Sequence, residues 1–163
     1  MANKNEASHD DSLKREEYSD FTLVLKDGRE LQCHKVKLAE VSPFFRTMFR
    51  QNCQETKSNK MMMTEFEPDT VKSFVDFIYA ELVEVPDQEV FKKDFDGKRL
   101  TLDLLRMSHM YDFNILQDLC VKQLKKSIVD VNVVDIWSAA ETTGIVSLKE
   151  AALDHLGNKR DER

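Results

Sequence analysis

The chain has 163 residues, 41% of them hydrophobic, which is enough to bury a core without a metal ion or a disulfide. Its 24 basic and 30 acidic residues give a net charge of −6, which argues against a protein that clamps a phosphate backbone or an anionic membrane surface. No apolar run is long enough to span a bilayer, and Met1–Ser19 lacks the apolar core of a secretory signal. Three cysteines without close spacing favour free thiols in a reducing compartment, so we expect a cytoplasmic or nuclear protein.

A β-hairpin and a short helix are predicted after residue 20. Apolar and less apolar residues alternate with period two over 21–25, and Asp27-Gly28 is a turn signal, so a return strand is expected over 29–33. A short helix is expected over 34–40. Its inward-facing residues are expected to be Val36, Leu38 and Ala39.

A second helix is predicted to begin at Ser42-Pro43, because serine is a good N-cap and proline suits the first helical position. A polar run over 50–59 follows, and then a short buried strand of methionines at 61–63. Pro68 opens a further amphipathic helix. The apolar faces are expected to be Phe44, Phe45, Met48 and Phe49 in the earlier helix, and Val71, Phe74, Val75, Phe77 and Ile78 in the later one.

The second half of the chain is predicted to be helical. A short strand over 82–85 and a polar loop over 86–99, to which we assign no function, precede it. The first helix is expected over 101–111, and Asn114 with Gln117 forms a capping box at the start of the next. The buried face of that next helix is expected to be Ile115, Leu116, Leu119, Cys120 and Leu124.

A final pair of helices is predicted from its capping residues. Asp130 is expected to cap the first helix and Gly144 to end it, while Ser147 and Glu150 form a capping box for the second, which ends at Gly157. The inward residues are expected to be Val133, Val134, Trp137 and Ala140, then Leu148, Ala151, Ala152 and His155. The element order therefore predicts an α+β domain, a small mixed sheet covered by helices, with a C-terminal helix pair.

Residues 20–79 resemble the signature of the BTB/POZ domain family. The matching residues occur in order and are Asp20, Gly28, Cys33-His34-Lys35, Leu38-Ala39, Ser42-Pro43-Phe44-Phe45, Met48-Phe49 and the run Phe-Val-Asp-Phe-Ile-Tyr at 74–79. Within the family the chain is most similar to the speckle-type POZ protein group. The resemblance implies a flexible tail at 1–18, a BTB/POZ domain at 19–127, a helical extension at 128–158 similar to the start of a 3-box or BACK segment, and a tail at 159–163.

The resemblance implies a protein-interaction module and not an enzyme. Members of the family have an α/β core that usually forms homodimers, and many bind the N-terminal domain of cullin three as substrate adaptors of a ubiquitin ligase. In the speckle-type group a helix pair after the core extends that contact, and 130–156 looks like that pair. The alternative is a BTB scaffold that self-associates or recruits a transcriptional or other partner without binding cullin.

The resemblance also implies where cullin binds. In cullin-binding members a hydrophobe-x-Glu motif follows the phenylalanine-containing helix, and the matching positions are Cys53-Gln54-Glu55. Cysteine buries less apolar area than methionine or leucine, so this anchor is expected to be weaker, and the alternative is a solvated loop. Tyr111 and Phe113 match a later turn that lines the cullin surface, and the alternative is that both side chains cap the core.

Four residues are implied at or near a dimer interface. The family pattern pairs the positions of Asp20 and His34, and a buried carboxylate needs a partner such as histidine. Family dimers also use a helix before the first strand, where this chain offers only Leu13 and Tyr18 as large apolar residues. Because hydrophobic dimer interfaces need more than that, we expect a weak dimer or one built mainly from the core helices.

No residue pattern in the chain points to catalysis or to a bound cofactor. Phosphate-binding glycine loops and nucleophile motifs do not occur, and the four histidines are scattered. Cys33 and His34 are adjacent on a predicted strand and cannot face one metal ion, so zinc is not expected. We therefore expect no catalytic residue, metal, cofactor or small-molecule substrate, and no nucleic-acid or membrane partner.

Overall fold

The computed structural model describes residues 16–80 and 97–158. The chain divides into two compact units, Met1–Tyr79 and Ala80–Arg163, called here the first and the second unit. Among the described residues, no helix combines the length and the apolar character that crossing a membrane requires.

The first unit contains a three-stranded mixed sheet. Its strands are β1 (Phe21–Leu25), β2 (Glu30–Cys33) and β3 (Lys60–Met63), in the order β2-β1-β3. The central strand β1 pairs antiparallel with β2 and parallel with β3, and Leu25 lies opposite Met63. The predicted hairpin, the third strand and the mixed sheet are therefore confirmed.

The hairpin closes through the predicted Asp27-Gly28 turn. Gly28 has a φ of +86°, a conformation that glycine adopts without the steric cost of a side chain. The Leu25 N–H donates to the Arg29 carbonyl at 2.8 Å. This register turns one face of β1 into the core, and the buried residues of that face are Phe21, Leu23 and Leu25.

Four helices of the first unit are described: α1 (Lys35–Val41), α2 (Pro43–Arg50), α3 (Gln54–Ser58) and α4 (Pro68–Tyr79). The start of α2 is as predicted, since the Ser42 hydroxyl accepts from the Phe45 N–H at 3.2 Å. The predicted apolar face of α4 is also confirmed, and its buried residues are Val71, Phe74, Val75, Phe77 and Ile78.

Two predictions for the first unit are wrong. Val36 is 71% exposed and not inward, because the short helix α1 buries only Leu38 fully. Met62 is 61% exposed, because successive side chains of a strand point to opposite faces of the sheet and Met63 takes the buried one. The polar run over 50–59 contains the helix α3, which no apolar periodicity announces.

The described elements of the second unit are α5 (Gly97–Met110), α6 (Asn114–Lys126), α7 (Val133–Thr143) and α8 (Val146–Asn158). Helix α5 packs against α6, and α7 packs against α8. The C-terminal helix pair and the α+β fold are therefore confirmed. Residues 97–99 belong to α5 and not to a loop, whereas the strand predicted over 82–85 and the rest of the loop lie outside the described residues.

The start of α6 differs from the prediction by one residue. Asn114 is the first helical residue, and the residue before it, Phe113, makes no side-chain capping bond. Ile115 is 51% exposed, although it was expected in the buried face, while Leu116 and Cys120 are buried as predicted.

The start of α7 also differs from the prediction. The residue before its first turn is Asn132 and not Asp130. The buried face also differs from the prediction, since Val134 is 66% exposed and Ile136 is buried. Gly144 ends α7 as predicted, with a φ of +69° and its N–H directed at the Ala140 and Glu141 carbonyls.

The limits of α8 were predicted incorrectly at both ends. Val146 already belongs to α8, so Ser147 lies inside the helix and does not cap it. Gly157 is helical too, and the described helix continues to Asn158. The inward residues Leu148 and Ala152 are buried as expected.

Candidate protein-interaction site

The turn between α2 and α3 is closed by bonds to one carbonyl oxygen. The Met48 carbonyl accepts from the Gln51 N–H at 3.0 Å and from the Thr56 hydroxyl at 3.1 Å. The Cys53 sulfur lies 3.0 Å from that hydroxyl oxygen and 3.9 Å from the carbonyl. Because residues on both sides of the turn share this acceptor, the turn has one defined shape.

This turn carries the three predicted cullin-contact residues. Cys53 directly precedes α3, and Gln54 and Glu55 form its first turn. Gln54 is exposed, whereas Cys53 and Glu55 are half-buried. The structure thus brings the three residues together, but it directs the Cys53 thiol toward Thr56 and Met48, which leaves little apolar area for a partner.

The aromatic residues of α2 belong mostly to the core of the first unit. Phe45 is fully buried, and its ring stacks on Phe49 with centroids 6.0 Å apart. Phe49 also meets the ring of Phe21 edge to face at 5.0 Å. Phe44 and Phe49 are half-buried, so the edge of this stripe reaches the surface.

Tyr111 and Phe113 do not form a surface anchor. They are only 5% and 0% exposed, so the alternative stated for them, that both cap the core, describes their position. The exposed apolar residues of the same turn are Met110 at 45% and Ile115 at 51%. Ile115 lies about 100° around α6 from the buried Leu116, at the edge of the apolar face, which leaves it exposed.

A cluster of exposed valines lies at the turn between α6 and α7. Val129, Val131 and Val134 are 42%, 84% and 66% exposed. The buried side chain of Asn132 holds this turn, because its Oδ1 accepts from the Val129 N–H at 2.7 Å and its Nδ2 donates to the Ser127 carbonyl at 2.8 Å. We call the three residues the valine patch.

The same turn is also tied to α8. The Nε2 of His155 lies 3.0 Å from Oδ1 of Asp130, the residue between Val129 and Val131. Asp130, which was predicted as a helix cap, instead joins the turn before α7 to His155 of α8 through a side-chain hydrogen bond. The valine patch is therefore presented by a turn that is fixed from two sides.

Asp20 and His34 are not the buried pair that the family pattern suggested. Asp20 is exposed, and its Oδ1 accepts from the Lys35 N–H at 2.7 Å, at the start of α1. Asp20 and His34 lie on neighbouring elements as predicted, but the partner of Asp20 is Lys35 and not His34. The His34 ring bonds instead to the Tyr79 hydroxyl and to the Glu17 carbonyl, each at 2.8 Å.

Of the two predicted apolar dimer residues, only Tyr18 is described, and Leu13 lies outside the described residues. Tyr18 is 88% exposed and has a φ of +57°, a left-handed conformation that is uncommon for tyrosine. An exposed aromatic ring on a defined turn is a reasonable contact residue for a partner.

The cysteines of the chain are free thiols in distinct surroundings. Cys33 and Cys120 are buried, and Cys53 is half-buried. Burial raises the pKa of the Cys120 thiol to about 12. Within the described ranges, 16–80 and 97–158, no group of three or more His, Cys, Asp or Glu side chains is arranged to hold a metal ion.

The comparison with protein families identifies the domain. The model of the BTB/POZ domain family matches residues 9–128 of the 163, so the chain belongs to this family. The family-level resemblance is therefore confirmed, and the fold makes the chain a protein-interaction module. The predicted domain boundaries stay a prediction.

Three relatives illustrate the similarity. Kelch-like protein 40 of Xenopus tropicalis is 26% identical over 78% of this chain and 19% of its own length. The human Kelch repeat and BTB domain-containing protein 3 is 29% identical over 83% of this chain and 20% of its own length. Kelch-like protein 7 of Gallus gallus is 28% identical over 89% of this chain and 23% of its own length. The chain thus spans about a fifth of the length of these relatives.

A solved structure supports the same fold. The BTB (Tramtrack and Bric a brac) domain of human gigaxonin superposes with a TM-score of 0.50 and 22% sequence identity, covering 75% of this chain and 93% of that one. Since the relatives above are kelch-named proteins, the finer resemblance to the speckle-type POZ group stays a prediction.

Proposed function

We propose that the chain binds the N-terminal domain of cullin three and is the cullin-binding part of a substrate adaptor for a cullin-RING ubiquitin ligase. The observation that carries the proposal is the closed turn between α2 and α3, which holds Cys53, Gln54 and Glu55 together at the surface. Membership of the BTB/POZ family supports it, because the hydrophobe-x-Glu motif of cullin-binding members matches these positions.

The chemistry of the turn favours a polar contact over a large apolar anchor. Gln54 is exposed and supplies an amide donor and acceptor, and Glu55 supplies a carboxylate near the surface. The Cys53 thiol is small and faces Thr56, so it adds little apolar burial. We therefore expect a moderate affinity in which Glu55 has a larger share than Cys53.

The second unit offers two apolar surfaces for the same partner. Met110 and Ile115 flank the turn between α5 and α6, and they take the place of the buried Tyr111 and Phe113 as contact residues. The valine patch lies at the start of the helix pair that the family resemblance assigned to an extended cullin contact. Single exposed apolar residues are common, but a fixed cluster of three favours an interaction surface.

The test is calorimetry of the purified chain with the N-terminal domain of cullin three. We expect Glu55→Lys to weaken binding at least tenfold, by about 1.4 kcal/mol or more, because it reverses the charge at the turn. The matched control is Glu65→Lys, the same substitution at an exposed glutamate of the first unit outside this turn. The control should bind like the unmodified chain.

Two results would contradict this proposal. Binding that is undetectable at high micromolar concentration would exclude the cullin contact for this chain. Equal losses for Glu55→Lys and Glu65→Lys would show that net charge matters and that the α2–α3 turn is not the site.

We propose further that the chain forms a homodimer in which Tyr18 contacts the second copy. Its exposed ring and the exposed Val36 lie on segments joined by the bond between Asp20 and Lys35, so both belong to one region of the first unit. Sedimentation over a range of concentrations gives the dimer constant. Tyr18→Ser should weaken the dimer, and an unchanged constant would exclude Tyr18 from the interface.

A second candidate is a BTB scaffold that self-associates or recruits another partner without cullin. The observation that favours it is the inward direction of the Cys53 thiol, which removes the apolar anchor of the cullin motif. The same calorimetry separates the two candidates when light scattering is added. A clean dimer mass without cullin binding supports the scaffold, and binding that is lost in Glu55→Lys supports the adaptor.

A further inference from the structure

A chain of three short hydrogen bonds links the end of α4 to the segment before β1. The Tyr79 oxygen lies 2.8 Å from the backbone nitrogen of His34 and 2.8 Å from its ring Nδ1. The other ring nitrogen, Nε2, lies 2.8 Å from the carbonyl oxygen of Glu17. Residues that are 45 and 17 positions apart from His34 are thereby joined through one imidazole ring.

The donors and acceptors assign one tautomer to His34. A carbonyl oxygen can only accept, so Nε2 carries the hydrogen and donates it to Glu17. In the neutral ring Nδ1 is then an acceptor, and it receives the Tyr79 O–H. The Tyr79 oxygen accepts the backbone N–H of His34 at the same time. Tyr79 thus fixes both the position of the ring and the nitrogen that faces Glu17.

The anchored carbonyl belongs to the residue just before Tyr18. Tyr18 is held in the left-handed region at a φ of +57°, which is uncommon for a bulky residue and requires support from its surroundings. On its other side the Asp20 N–H donates to the Cys33 carbonyl at 3.1 Å, and the Asp20 carboxylate accepts from Lys35. Hydrogen bonds therefore hold the backbone on both sides of Tyr18, and Tyr18 itself is 88% exposed.

We propose that Tyr79 and His34 are positioning residues that hold this turn and thereby present Tyr18 to the second copy of the chain. The inference rests on the proposed homodimer for its functional meaning, but the positioning itself can be measured alone. A turn that is already ordered in the monomer loses less conformational entropy when the dimer forms. Without the bond to Glu17, the segment 16–20 would sample several conformations, and the dimer would be weaker.

The experiment compares substitutions that each remove part of this series of hydrogen bonds between Tyr79, His34 and Glu17. Tyr79→Phe deletes only the hydroxyl group. His34→Gln keeps an amide donor near the position of Nε2, within reach of Glu17, whereas His34→Asn keeps polar atoms only near the position of Nδ1. These two variants are matched in chemistry and differ in reach, so a general loss of stability would affect both alike.

Two quantities are measured on the full chain. The first is the hydrogen-exchange rate of the Ser19 amide, which donates to the Glu16 carbonyl in the turn that holds Tyr18. The second is the dimer dissociation constant from sedimentation. We expect Tyr79→Phe and His34→Asn to speed the amide exchange of Ser19. Both should also raise the dimer dissociation constant about tenfold, which is the effect of one or two lost hydrogen bonds. His34→Gln loses the Nδ1 acceptor of Tyr79 but keeps the donor to Glu17, so its effect on both quantities should be clearly smaller than that of His34→Asn.

The outcomes separate this inference from the proposed dimer. Unchanged Ser19 exchange in Tyr79→Phe, or equal behaviour of His34→Gln and His34→Asn, would overturn the positioning role. Faster Ser19 exchange in Tyr79→Phe and His34→Asn alone supports it, even if Tyr18→Ser leaves the dimer constant unchanged. In that last case the proposed contact of Tyr18 with the second copy fails, and the positioning of the turn stands.

Discussion

The two units of the chain reach a defined structure by different means. In the first unit, most elements other than α4 have eight residues or fewer, and polar bonds join distant residues, such as Asp20 to Lys35, His34 to Tyr79 and Thr56 to Met48. In the second unit, helices of 11–14 residues pack in sequence-adjacent pairs around a largely apolar core. Short helices gain little stability from their own backbone bonds, so the first unit depends more on individual polar contacts.

This difference also separates the surfaces that the two units display. The candidate site of the first unit is a turn with a glutamine and a glutamate, shaped by side-chain bonds to one carbonyl oxygen. The surfaces of the second unit are exposed apolar residues that its helices do not bury. We therefore expect polar substitutions to report on the first unit and apolar truncations to report on the second.

The largest effect is expected for Phe113→Ala in the second unit. Phe113 is fully buried, so removing its ring should lower the free energy of unfolding by about 3–5 kcal/mol. The single tryptophan, Trp137 on α7, reports the transition in urea by its fluorescence. The control is Ile115→Ala, an apolar residue two positions away that is 51% exposed and should cost less than about 1 kcal/mol. Equal costs would mean that Phe113 is not a core residue.

The errors at Phe113 and Ile115 show how far apolar periodicity reaches. The pattern predicted the helix α6 and the buried Leu116 and Cys120 correctly, because residues four apart share a face of a helix. It could not decide which apolar residues at the edge of that face stay exposed, because that depends on the elements that pack against the helix. Asparagine often caps a helix, but Asn114 is already the first helical residue of α6. Val134 at the start of α7 was misplaced for the same reason.

The features that the sequence did not reveal are bonds between distant residues. Tyr79 was part of the family signature, yet nothing in the spacing indicates that it meets His34. Helix α3 is polar and short, and it is tied down by Thr56, whose acceptor is a backbone carbonyl with no sequence signal. By contrast, the hairpin at Gly28 and the cap at Ser42 were predictable, because their causes are local.

The next largest effect is expected for Asn132→Ala, because Asn132 is a polar residue that holds a turn of the mainly apolar second unit. Asn132 is 4% exposed and bonds both Ser127 and Val129, so Asn132→Ala leaves two backbone groups without their partner. We expect a loss of about 1–3 kcal/mol in urea unfolding. Asn114→Ala, at an exposed asparagine, is the control and should change stability by less than about 0.5 kcal/mol. A small effect at Asn132 would make the second unit wholly dependent on apolar packing.

A pH-dependent effect of intermediate size is expected from Cys120. Burial raises the pKa of this thiol from 9.0 to about 12 in the folded chain. Its contribution to stability is complete below pH 9 and is lost as the pH rises toward 12, because the unfolded chain releases the proton first. At pH 10 the loss should be about 1 kcal/mol.

The measurement for Cys120 is the free energy of unfolding at pH 7 and pH 10. The unmodified chain should lose about 1 kcal/mol more over this interval than Cys120→Ala, which has no thiol to titrate. Comparing differences removes the offset that the smaller side chain causes at pH 7. Parallel pH profiles would mean that the thiol is as accessible in the folded chain as in the unfolded one.

The smallest effect compares a true cap in the first unit with a predicted cap in the second. Ser42→Ala removes the acceptor of the Phe45 N–H and should lower the free energy of unfolding by about 1 kcal/mol. Ser147→Ala lies inside α8, where alanine is the better helix former, so it should be neutral or slightly stabilising. Both substitutions delete one hydroxyl group. If they cost the same, polar side-chain bonds would hold the first unit no more than the second, and the contrast between the two units would rest on element length alone.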